Sequence, residues 1–191
     1  MNRRAFFGAT AAVVLHQATS AHAASLLGPG LGLGAPPAVV GIGVADLAGA
    51  KKAMTAATGV TWLPDIETGF PARFAGEPEA VELRGTVALS AAGPPLYALE
   101  EATPSLPPFD ATPDDSPVRF AYFVPNVAAA SADLIANGWR LIMTVEDGQP
   151  AGTASGVAVH EGPGGLLIEI AEPQRLATQL LLQPPALRQQ R

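Results

Sequence analysis

Val39-Val40-Gly41-Ile42-Gly43-Val44 runs directly into Ala45-Asp46-Leu47, and this passage decides the fold. A short apolar run rich in β-branched residues reads as a strand. Asp46 is a good helix N-cap, because its carboxylate can accept from an otherwise orphaned N–H of the first turn. Leu47, Ala50, Met54 and Ala57 then fall on one helical face. Gly59 supplies the C-terminal stop, and Val60-Thr61-Trp62-Leu63 follows as an extended segment that ends at Pro64.

The same grammar returns further along. Arg119-Phe120-Ala121-Tyr122-Phe123-Val124 reads as a strand and Asn126 as its helix cap. Val127, Ala130 and Leu134 mark a helical face, Gly138 stops it, and Trp139 to Met143 is extended. Val44 matches Val124 and Asp46 matches Asn126 at one constant offset, with Gly59 matching Gly138 one residue short of it. Two copies make a duplication, not a solenoid. Each half adds a hairpin. In the first, Ala80 to Ser90 and Leu96 to Leu99 flank Gly93-Pro94-Pro95; in the second, Ala154 to His160 and Leu166 to Ile170 flank Gly162 to Gly165. Each half is therefore βαβββ. Neither buries both faces of its sheet alone, so the two are expected to pack as one α+β domain.

These residues resemble a known family, the vicinal-oxygen-chelate superfamily of glyoxalases, bleomycin-resistance proteins and related epimerases and dioxygenases. The carrying segments are Val40 to Leu47, Gly59 to Pro64 and His160 to Ile170, taken in order within the duplicated frame. The resemblance covers residues 38–173, with modules at 38–103 and 118–173. It implies that the paired βαβββ modules form a cup of curved mixed sheet, the glyoxalase-like fold. It also implies a divalent metal held by side chains from the first and last strand of each module. The positions that correspond are Val39 and Ala98 in the first module, and Arg119 and Glu169 in the second.

Three of the four cannot serve. Val39 and Ala98 have no donor atom, and the Arg119 guanidinium is a cation without an acceptor. A slip of two residues puts Glu100 in place of Ala98, which gives two carboxylates beside a guanidinium. A tight transition-metal site wants three or more protein ligands. The expectation is therefore no metal and no other cofactor, with Arg119 paired to Glu169 at the floor of the cup. The opposing expectation is an Arg119 that snorkels to solvent at a strand edge, with Glu169 a solvated charge.

The other candidate is His160. If Gly162 to Gly165 is a four-residue turn, His160 lies opposite Leu167 and diagonal to Glu169, where it could exchange protons with it. A change of one residue in register points it to the other face. The catalytic candidates are thus Glu169 and His160, and the ligand-binding candidates Arg119, Phe123 and Leu167. Ala121 and Ile142 are expected to line the cup as well, while Phe120, Tyr97 and Tyr122 face the helices.

Around this body, Met1 to Ala23 reads as an export signal: Arg3-Arg4, an apolar stretch to Leu15, and Ala21-His22-Ala23 as a small-x-small cleavage site. Arg3-Arg4 before Phe6-Phe7 resembles a twin-arginine signal. Its loss takes the net charge from −6 to −8 and leaves His160 as the one histidine. The implied location is periplasmic or secreted. Residues 24–37 read as a Gly/Pro-rich linker, since no strand precedes Gly28 to Gly34 as a phosphate loop requires. Pro104 to Pro117 is the connection between halves, and 174–191 a tail that opens with a short helix over Leu176 to Leu182.

Composition bounds the function. The chain has 191 residues, is 48% hydrophobic and contains no cysteine, which provides for a core and excludes disulfides and thiolate chemistry. The acidic balance argues against nucleic acid as a partner and favours cationic or neutral ligands. No apolar run suffices for a membrane span, so insertion of the mature chain is not expected. No nucleophile elbow or Walker motif is present, and no serine has a context that supports a triad with His160. The partners expected are a small-molecule ligand and at most a second copy of the chain as a homodimer. Two functions remain: a binding or sequestering module, and a lyase, isomerase or epimerase using Glu169 for proton transfer. An exported domain with a structural role only is a third.

Overall fold

The computed structural model describes residues 37–93, 95–103, 111, 116–145, 154, 156–161 and 162–173. The export signal, most of the linker, most of the connection and the tail with its short helix lie outside the described residues. The body consists of two βαβββ modules. The first holds β1 (Val39–Gly43), α1 (Leu47–Thr58), β2 (Ile66–Phe74), β3 (Val81–Leu89) and β4 (Leu96–Thr103). The second holds β5 (Val118–Phe123), α2 (Val127–Ala136), β6 (Arg140–Val145), β7 (Val157–Glu161) and β8 (Leu167–Ala171). This is the mixed α+β, glyoxalase-like architecture.

The helix signals are realised residue by residue. Asp46 Oδ1 accepts from the Gly49 N–H at 3.0 Å, and Asn126 Oδ1 from the Ala129 N–H at 2.9 Å. Gly59 closes α1 at φ 75° and Gly138 follows α2 at φ 86°, left-handed positions that suit a residue without Cβ. The Glu101 carboxylate accepts from the Leu47 N–H at 3.0 Å, a second cap on α1 supplied by the sheet.

The cup is closed. The strand order is β1-β4-β3-β2-β6-β7-β8-β5, and β5 returns to pair with β1. Within each module the first and last strands run parallel; between modules β1 meets β5 and β2 meets β6, both antiparallel. The register preserves the duplication. Val39 stands beside Leu96 and Arg119 beside Leu167, so Ala98 occupies the place of Glu169. Alternation along the strands then sorts side chains into interior and exterior. Inside, one apolar group gathers Leu83, Phe123, Met143, Val157 and Val159, and another Val39, Val87, Leu89, Ala98 and Ala121. Outside, Val44 and the first helical residue Leu47 pack on Ala88 and Leu99 with α1, while α2 covers Ala158, Ile168 and Ile170 through Val127, Ala130 and Leu134.

One strand departs from the sequence reading. The second strand of the first module is Ile66–Phe74, not Val60–Leu63, which contributes a single bridge between Trp62 and Ser90. Ile66, Phe70, Ala72 and Phe74 keep the period of two, but Gly69 and Pro71 between them are poor strand formers and conceal β2. Pro71 is tolerated because β2 pairs with β6 only over Ala72–Phe74, which leaves the stretch before it paired with β3 alone.

Candidate functional site

Arg119 lies inside the barrel, on the first inward position of β5. Its Nε donates to Glu169 Oε2 at 2.6 Å and its Nη2 donates to Glu100 Oε2. The pair expected at the floor of the cup is present, and Glu100 completes a cluster of two carboxylates around one guanidinium. The side chains of Glu100, Arg119 and Glu169 are 15%, 11% and 8% exposed, so the charges are largely withdrawn from water.

The backbone explains how Arg119 reaches both partners. Glu169 is on β8, the neighbour of β5 on one side, and Glu100 is on β4, two strands away on the other, beyond β1. Strands lie about 4.8 Å apart, so the Arg119 and Glu100 side chains together must span about 10 Å across β1. Its path crosses Gly41, the residue that faces Arg119 in the ladder. A Cβ there would stand 3.1 Å from both Cγ and Cζ of Arg119. Gly41 is thus the gap through which the guanidinium passes.

Electrostatics follow from this geometry. Burial disfavours the charged guanidinium, but the charges and hydrogen bonds of Glu100 and Glu169 outweigh it, so Arg119 is held protonated more firmly than a free arginine. Burial pushes the Glu100 carboxyl above the usual carboxylate range; Arg119 opposes that shift and the Glu169 charge adds to it. The cluster borders a cavity of about 90 Å³, several times the roughly 10–15 Å³ that admits one water. The rest of the lining is mostly apolar, with Val39, Phe70, Leu83, Val87, Ala121 and Met143 as its main walls and Thr68 and Thr86 as neutral polar groups. An apolar chamber with a few convergent polar groups is the common form of a small-molecule site.

His160 is not part of it. The loop from β7 to β8 places His160 beside Ile168, and Glu169 beside Val159. The expected turn of Gly162 to Gly165 is one residue longer, because Gly162 N–H bonds to the Leu166 carbonyl around Pro163-Gly164-Gly165. That single step turns His160 to the exterior of the barrel, under α2, where its Nε2 lies 2.8 Å from Ser131 Oγ. The ring is fully buried, its Nδ1 has no hydrogen-bond partner among the described residues, and burial lowers its pKa to about 4. Proton exchange with Glu169 is thereby excluded, since the sheet stands between them.

Phe123 and Leu167 are corrected too. Both are buried, but neither lines the cavity. On β5 the cavity reaches Arg119 and Ala121, and Phe123, a further two residues along, belongs to the apolar group that fills the interior beyond it. Ile142 packs against that same group, and Met143 lines the cavity in its place, since the β6–β7 register shifts between Leu141 and Met143. Tyr122 packs under α2 as expected. The walls supplied by β2 and β3 were not identified from sequence: β2 was concealed, and β3 was read as a strand without its inward face being assigned.

The metal implied by the family resemblance does not fit these residues. The symmetric positions hold Val39, Ala98, Arg119 and Glu169, and the two carboxylates that do converge are both bonded to the guanidinium. Among the described residues no group of three or more His, Asp or Glu side chains is placed to hold an ion.

No protein-family model matches the chain, and no curated protein matches it. Solved structures do. A hypothetical protein from Bacillus halodurans is 15% identical, with a TM-score of 0.48 over 71% of this chain and 92% of its own. A methylmalonyl-CoA epimerase from Mycobacterium tuberculosis is 21% identical, with a TM-score of 0.43 over 72% and 87%. The trypanothione-dependent glyoxalase I of Leishmania major is 18% identical, with a TM-score of 0.26 over 74% and 89%. The epimerase and the glyoxalase are vicinal-oxygen-chelate proteins.

Proposed function

We propose that this chain is an exported small-molecule-binding protein whose barrel holds a compact organic ligand against the Glu100–Arg119–Glu169 cluster, without a metal. The observation that carries the reading is the buried charged cluster at the wall of a mostly apolar cavity. Arg119 occupies one of the positions that the family resemblance assigns to a metal ligand, and its single charge balances one of the two carboxylates. Lewis-acid assistance to an enolate or a peroxide is the chemistry such a metal would supply, and this donor set does not support it. Binding is therefore favoured over the lyase or isomerase alternative. The alternative keeps one point of support: the Glu100 carboxyl, raised by burial, is suited to carry a proton beside Glu169.

A thermal-shift screen of small molecules against the purified mature protein tests the reading. Ligands that raise the melting temperature are expected, and Ala121→Trp, which fills the cavity, is expected to abolish their effect while the protein stays folded. Failure of every compound to stabilise the wild type would remove the proposal. Metal analysis on the same protein is expected to find less than a tenth of an equivalent of zinc, nickel or iron; a full equivalent would contradict the metal-free site. Turnover that disappears in Glu169→Gln would establish the enzymatic alternative instead. Export is checked by mass spectrometry of protein recovered outside the cytoplasm, with cleavage expected after Ala23.

A further inference from the structure

We propose that the cavity selects a compact cation: a molecule with a short apolar body that ends in a single protonated amine, seated against the carboxylates of Glu100 and Glu169. The inference rests on the small-molecule reading and names the ligand class of that same cavity.

Charge count is the first ground. Three carboxylates, those of Glu100, Glu101 and Glu169, border the cavity against two guanidinium groups, those of Arg84 and Arg119. Arg84 is 76% exposed beside Glu82, and Glu101 accepts from the Leu47 N–H, so neither decides the buried end. There, two carboxylates share one guanidinium, and the ionised cluster carries one negative charge in excess.

The second ground is the occupation of Arg119. A carboxylate ligand docks on arginine through two parallel N–H donors. The Nε and Nη2 donors of Arg119 already serve Glu169 and Glu100. An anion drawn to the guanidinium would be a third negative charge beside those two carboxylates, in a cluster largely withdrawn from water. A protonated amine meets no such repulsion. It supplies the missing positive charge and donates to oxygens that a carboxylate offers in four lone-pair directions.

The third ground is the wall. Val39, Val87, Ala98 and Ala121 leave room for methylene groups and provide no polar partner along the way. The cavity of about 90 Å³ has room for a few heavy atoms against the cluster. The net charge of −6 over the chain adds long-range attraction for cations.

Linkage to pH supports the same assignment. Burial and the Glu169 charge, opposed by Arg119, keep Glu100 protonated to higher pH than an exposed glutamate. A cation beside it favours the ionised form, so binding releases a proton and tightens as pH rises through the titration of Glu100.

Three probes of matched size decide the matter: butylammonium, 1-butanol and butanoate, each titrated into the full protein by calorimetry. Butylammonium is expected to bind about tenfold or more tightly than 1-butanol, a difference of about 1.4 kcal/mol, and butanoate not to bind. In Glu100→Gln the preference for butylammonium over 1-butanol is expected to disappear while 1-butanol still binds. Equal or stronger binding of 1-butanol or butanoate by the wild type overturns the cation proposal and leaves the small-molecule reading intact. Binding of none of the three, with ligands of another class found in the wider screen, also overturns this proposal alone. Binding of none, with that screen empty, removes both. The wild-type comparison decides the question even if Glu100→Gln fails to fold.

Discussion

Arg119 holds two buried carboxylates together, and its removal should cost more than a surface ion pair. Deleting one partner of a buried charge cluster leaves an uncompensated charge, an effect of about 3–5 kcal/mol. Arg119→Met is expected to lower the unfolding free energy in urea by that order, and the addition of Glu100→Gln and Glu169→Gln to recover most of the loss. Recovery distinguishes stranded charge from lost packing. Gly41→Val is expected to break the Arg119–Glu100 bond, since its side chain must occupy the space the guanidinium crosses. His160 gives a test by pH. Its folded pKa of about 4 lies below the usual 6.5, so the unfolded chain binds the extra proton between those values. Stability contributed by the neutral ring is complete above pH 6.5 and is lost as pH falls toward 4, by up to about 3 kcal/mol. Glu100 acts with the opposite sign: its raised pKa stabilises the protonated form and withdraws stability as pH rises. Acid denaturation of His160→Phe against wild type isolates the histidine; an unchanged pH slope between 6.5 and 4 would refute its role. At this scale Arg119 and Glu169 were brought together by the family resemblance, which assigns both to inward positions, and the strands carry them there. His160, a candidate partner of Glu169 in the sequence reading, takes the other face, because its side depends on one residue of loop length.

The elements were legible where their ends are marked chemically. Asp46, Asn126, Gly59 and Gly138 announce both helices and their limits, and each performs the expected task. β2 was not legible, because its sequence carries Gly69 and Pro71 and its partnering comes from tertiary closure rather than local pattern. The β7–β8 hairpin shows how an element is fixed from outside. Gly162 begins the turn against Trp139, and a Cβ there would stand 2.5–2.6 Å from the indole carbons. A ring packed beneath α2 cannot yield as a flexible chain end can. Gly162→Ala is expected to destabilise the protein by about 1–3 kcal/mol through overpacking, measured by chemical denaturation. Asp46→Ala, which removes a helix cap alone, is expected to cost about 1 kcal/mol.

At the scale of the molecule, the duplication was readable as a frame, but its closure was not. Val39 and Arg119 occupy equivalent places, yet nothing in their spacing says that β1 and β5 pair or that β2 meets β6. Because both seams are ladders of backbone hydrogen bonds, the described body is expected to unfold in one transition. Equal calorimetric and van't Hoff enthalpies would establish that, and separate transitions for the halves would refute it. The charged cluster lies across this junction: Glu100 belongs to the first half, Arg119 and Glu169 to the second. A guest held there is therefore also a clasp. Its affinity strengthens the union of the halves, and anything that pries them apart, whether mechanical pull, acid or a competing surface, opens the lock and discharges the cargo in one stroke.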